Sequence, residues 1–135
     1  MTFASQHPLR DDLVTKLKTI TLLANDTDTT PHVVGYFETN PKGISPFACV
    51  DSAGALYGLP EDTSGLTPMR FVIGVWVRRD DPATAEDQIN DLALSIAQIL
   101  EANYNAKYTD FPQSDFEEIE GVQYKFELHF VEIDY

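Results

Sequence analysis

Phe71-Val-Ile-Gly-Val-Trp-Val77 is the stretch that decides how this chain folds. Phe71, Ile73, Val75 and Val77 fall on one side of an extended segment and Val72 and Trp76 on the other, so neither side is polar. Such a strand lies in the middle of a sheet, or its second face is covered by something else. Arg78-Arg-Asp-Asp81 ends the apolar run. Asp81 then suits a helix cap, accepting a hydrogen bond from an otherwise orphaned amide, and Pro82 suits the first helical position. Ala85, Ile89, Leu92, Ile96, Ile99 and Leu100 form the buried stripe of that helix, and Asn103 is its terminator.

The chain closes on a second strand. Val122, Tyr124, Phe126, Leu128 and Phe130 alternate with Gln123, Lys125, Glu127 and His129. After Phe130 the phase flips, with Val131, Ile133 and Tyr135 apolar and Glu132 and Asp134 polar, which requires a bulge or a change in what covers each face. His129 falls on the polar side, where a solvated or hydrogen-bonded imidazole is expected. Between helix and strand, Tyr104 to Gly121 reads as a polar, acidic connection carrying Tyr108, Phe111 and Phe116.

Working toward the N-terminus, Leu9, Leu13, Leu17, Ile20 and Leu23 recur at helical spacing, with Pro8 in the first turn and Asp11 and Asp12 near the positive end of the dipole. Asn25-Asp-Thr-Asp-Thr-Thr-Pro31 stops this helix. His32–Phe37 and Phe47–Val50 read as short strands separated by Asn40-Pro-Lys-Gly43 turn chemistry. Asp51 to Thr67 reads as a long loop, a candidate contact surface or a passive one. These elements predict one α+β domain over residues 1–135: a single mixed or antiparallel sheet with two helices packed on one face.

A chain of 135 residues is long enough to bury a sizeable core, and 43% hydrophobic content with 15 aromatic residues argues against disorder. The net charge of −13 sets the overall field against nucleic acid and anionic membrane surfaces. Cys49 is the only cysteine, which rules out an intrachain disulfide and fits a reducing, cytosolic interior. The N-terminus has no signal-peptide pattern, and no segment approaches the length of a membrane span.

Chemistry finds little support. His7, His32 and His129 form no two-ligand spacing. Asp26-Thr-Asp28 and Asp80-Asp81 lack the glycine and closing glutamate of a calcium loop and suit turn and capping roles. Cys49 reads as a small buried side chain, and Ser45 and Ser52 lack a nucleophile-elbow context. Gly54, Gly58 and Gly65 form no phosphate-binding fingerprint. No catalytic residue, metal ligand or cofactor is therefore assigned, and an enzyme is not expected.

In order, spacing and overall length, the helix near Leu9-Arg-Asp-Asp-Leu13, the strand near Pro46-Phe-Ala-Cys-Val50, the strand Phe71–Val77, the helix after Asp81-Pro82 and the tyrosine-ended last strand form one series. The series resembles the tail terminator proteins of long-tailed, lambda-type bacteriophages over nearly the whole chain. Phe71-Val-Ile-Gly-Val-Trp-Val77 followed by Glu86-Asp-Gln-Ile-Asn-Asp-Leu92 is its most similar piece. The resemblance implies a structural, non-enzymatic virion protein at the head-proximal end of the tail, assembled in the host cytoplasm. It implies a homo-oligomeric, hexameric ring that ends polymerisation of the tail tube protein and presents a surface to head-completion or connector proteins. DNA would pass through an acidic lumen without specific binding.

On that reading Arg70, Trp76, Arg78 and Arg79 are candidates for the subunit interface, because arginine and tryptophan concentrate interface energy. Lys42, Tyr57, Tyr108, Phe111 and Phe116 are candidates for partner contact. The ordinary alternatives are Trp76 as core, the arginines as local ion-pair partners, and the loop aromatics folded over a sheet edge. The alternative functions are another head-tail connector or tail-completion protein, or a small cytosolic α+β enzyme or ligand-binding module.

Overall fold

The computed structural model describes residues 3–24, 32–58 and 66–135. Among them a single mixed sheet of six strands carries two α-helices, the expected α+β class. The elements are α1 (His7–Leu17), a single 3-10 turn (Thr21–Leu23), β1 (Val33–Val34), β2 (Phe47–Ala55), β3 (Pro68–Arg78), α2 (Pro82–Asn103), β4 (Asn105–Tyr108), β5 (Gln113–Ile119) and β6 (Val122–Asp134). The strand order is β1-β2-β3-β6-β4, with β5 also pairing to β6. Among the described residues only the β1–β2 pair is parallel. The two-sided apolar strand β3 is indeed central, between β2 and β6.

Local chemistry sets the helix ends. Asp81 caps α2, its carboxylate accepting from the Ala83 amide at 3.2 Å and the Thr84 hydroxyl at 2.8 Å. Asn103 ends it, donating from Nδ2 to the Ile99 carbonyl. The first helix is shorter than its apolar spacing predicts. It stops at Leu17, where the β-branched run Thr19-Ile20-Thr21 disfavours continuation and Ile20 turns extended. Ile20 and Leu23 still reach the core, from outside the helix. Asp11 and Asp12 lie beyond the first turn and hold Arg10 and Lys16 instead. The expected stop at 25–31 lies outside the described residues.

Both helices cover one sheet face. Leu9, Leu13 and Leu17 of α1 and Ala85, Ile89, Leu92, Ile96 and Leu100 of α2 bury against Met69, Phe71, Ile73, Val75 and Val77 of β3 and Val131 and Ile133 of β6. Burying each such side chain fully contributes about 1.5–3 kcal/mol. The opposite face has its own smaller cluster of Phe47, Cys49, Trp76 and Tyr124, with no helix in it among the described residues. The segment after β1 crosses one end of that face. Ile44 packs there, and the Gly43 amide donates to the Tyr124 hydroxyl at 3.0 Å.

Two segments expected to be irregular are strand. Asp51–Ala55 extends β2 with a register break between Ser52 and Ala55, where Gly54 takes a φ of 109°. The expected long loop therefore begins later than Asp51, and its 59–65 portion lies outside the described residues. Tyr104–Gly121 holds β4 and β5, which share the far edge of β6. β5 turns directly into β6 through Glu120 (φ 51°) and Gly121 (φ 81°). Two left-handed residues in succession match the twist of a hairpin, and glycine meets no steric cost at the second.

β6 carries no bulge against β3: the register runs unbroken from Pro68↔Asp134 to Arg78↔Tyr124. The phase flip therefore comes from a change of cover. Lys125, Glu127 and His129 share the helix-covered face with Val131 and Ile133, while Tyr124, Phe126, Leu128 and Phe130 share the helix-free face with Trp76. The expectation of a polar, solvated side for His129 is corrected, since it is 1% exposed.

Candidate functional site

The unbroken β6 register brings a line of polar side chains beneath α2. Lys125, 8% exposed, pairs with Glu86 of α2. Its ammonium also lies 5.6 Å from the centre of the Phe116 ring. Next along the strand, the half-buried Glu127 accepts from the Ser114 hydroxyl of β5 at 3.4 Å. Burial pushes the Glu127 carboxyl above the usual carboxylate range, and Ser114 and Lys125 oppose that rise.

His129 follows. Its Nδ1 lies 3.3 Å from the Tyr108 hydroxyl. Glu127 Oε1 lies 2.9 Å from Nε2, but off the line an N–H would take, so Nε2 has no hydrogen bond. Burial alone lowers the imidazole to about 4, so it is neutral at physiological pH despite the neighbouring carboxylate. Tyr108 is raised, by burial first and then by the Glu127 charge.

Beside this line opens a groove of about 640 Å³ between α2 and the β4–β5 link. Ala93 and Ala97 form one wall, Tyr108, Phe111 and Pro112 the other, and His129 lines the floor. Small residues on the helix leave the space, and apolar side chains dominate its walls. Phe111 at the rim is 88% exposed.

The residues singled out from sequence fall in separate places. Trp76 is 1% exposed, stacked on Phe126 at 5.7 Å and edge-on to Phe47 at 6.2 Å, so within one chain it is core of the helix-free face. Arg70 bonds Glu132, which also holds Lys107 and is thereby kept below the usual carboxylate range. Arg78 pairs with Asp80 at the end of β3, beside the cleft that Lys42 lines. Arg79 lies over the Phe116 ring at 4.6 Å, and Phe116 remains 54% exposed. Tyr57 packs against Phe3 at 5.3 Å. Of these candidates, Tyr108 and Phe111 come together at the groove, and Phe116 and Arg79 meet on the β5–β6 hairpin.

The residues that sequence reading missed are Lys125, Glu127 and His129 as a line beneath α2, with the exposed Glu86 paired to Lys125. One signal was available: Lys125, Glu127, His129, Val131 and Ile133 have the same parity, so a strand without a bulge places all five on one face. No protein-family model matches the chain, and no curated protein matches it.

Proposed function

We propose that this chain is a structural, non-enzymatic protein that works by assembling with its own copies: a tail-terminator-like ring that closes a completed phage tail tube and offers a surface for head joining. The observation that carries this reading is the helix-free sheet face. Among the described residues, Val72, Phe126, Leu128 and Phe130 stand half-buried there with no helix over them. A face of that composition is completed by a neighbour in an assembly, and in a closed ring each copy covers the next.

Two further features support the reading. The α+β layering, with both helices on one face, is the architecture that the resemblance implies. The net charge of −13 suits a lumen through which a polyanion passes without sticking. The test is to add purified chain to polymerising phage tail tubes and follow tube length by electron microscopy. Arrested growth with an added density at one tube end is the expected result; unaltered lengths and bare ends would overturn the reading.

A further inference from the structure

The groove between α2 and the β4–β5 link is an apolar concavity on the helix-bearing side, and the ring reading makes no use of it. Its walls are apolar, yet carboxylates flank it, and among the described residues no ion pair holds Asp110 or Glu101. Asp110 lines one rim. Glu101 lies one helical turn beyond Ala97 and is exposed. Glu127 lies beneath, next to His129. The floor also holds an unsatisfied polar atom, the Nε2 of a histidine that is 1% exposed. A buried polar atom without a hydrogen bond is uncommon in a native structure and calls for a partner such as a water or a ligand group.

The charge pattern says what fits. Another copy of this chain would bring a further −13. Seven of its nine cations are also committed internally: Arg10, Lys16, Arg70, Arg78, Lys107 and Lys125 are in ion pairs, and Arg79 lies on Phe116, which leaves Lys18 and Lys42. We propose that the groove is the docking site for a basic segment of a different protein. One large apolar side chain of that partner sits against Ala93 and Ala97, and lysine or arginine on either side of it meets Asp110 and Glu101. Phe111, held out at the rim, closes over the seated side chain and supplies an aromatic face to the flanking cation.

The proposal does not depend on ring formation and is tested on the full chain. The probe is a blocked lysine-rich peptide with a central phenylalanine; the control carries serine in place of phenylalanine. Binding is followed by NMR and calorimetry at physiological salt. Burying the ring makes the phenylalanine peptide bind about tenfold or more tightly than the control. It moves the Ala93 and Ala97 methyl resonances together with the His129 ring signals.

Ala97→Phe, which fills the groove, removes the difference between the peptides. So does Phe111→Ser, a change at an exposed position that leaves folding intact. Equal affinity for the two peptides, shifts confined to other surfaces, or undiminished discrimination in both variants would each overturn the site in favour of unspecific charge attraction. A chain that stays single in solution yet still discriminates keeps this site and loses only the ring.

Discussion

Ile73 and His129 stand directly opposite each other across β3 and β6, so a histidine shares the helix-covered face with the aliphatic core. The imidazole is accommodated there as the neutral form, and that choice has a thermodynamic consequence.

Lowered to about 4 in the folded state from an ordinary 6.5, His129 binds its proton more readily when the chain is unfolded. Stability is therefore fully present above pH 6.5, falls as pH drops from 6.5 toward 4, and levels off below. The ceiling for this group is about 3 kcal/mol. Glu127, raised by burial, acts in the opposite sense and offsets part of the loss in the acid range. Urea midpoints at pH 7 and pH 5 check this: the wild-type midpoint falls, and His129→Leu flattens the dependence across that window.

Lys125 and Glu86 form an unequal pair, with the ammonium buried and the carboxylate half in water. Glu86→Ala strands a buried charge and is expected to cost about 1–2 kcal/mol. Lys125→Met keeps the volume, leaves Glu86 free to hydrate, and costs less. Denaturant unfolding of the two variants gives the order; the reverse order would contradict the pairing.

Gly74 lies under the Trp76 ring. A Cβ there would stand 2.6 and 2.9 Å from ring carbons and 3.1 Å from Cys49 Sγ. Gly74→Ala is expected to destabilise by about 1–3 kcal/mol. In a Trp76→Phe background the same change should cost less than half as much, because the distal part of the indole is gone. A double-mutant cycle of melting curves measures the coupling.

Much of this architecture was legible because its signals are strong. α2 announces itself by a capping aspartate, a proline at the first position and a stripe that keeps its period. β3 does so by apolar residues on both faces, and β6 by long alternation. β4 and β5 were not legible as strands: β5 is exposed along nearly its whole length, so burial imposes no apolar alternation on it. The Glu120-Gly121 step between Ile119 and Val122 was the one local hint of its hairpin. The polar line beneath α2 was missed for a related reason. Alternation tells which residues share a face, not which face the helices cover.

The helix-free face supplies a direct prediction for assembly. Phe126→Glu and Leu128→Glu each place a carboxylate where a neighbour is proposed to sit, next to Trp76 and its cluster. Each variant is expected to reduce the assembled fraction about tenfold or more at equal concentration, with near-native circular dichroism. Sedimentation velocity reads that fraction.

The central claim is that this protein acts as a closed ring of identical copies. Native mass spectrometry of the purified chain over a concentration series tests it most directly. A species of about six copies that grows in with concentration, and dissociates in the Phe126→Glu variant, is the predicted result. A single-chain mass at every concentration, unchanged by adding tail tubes, would contradict the account.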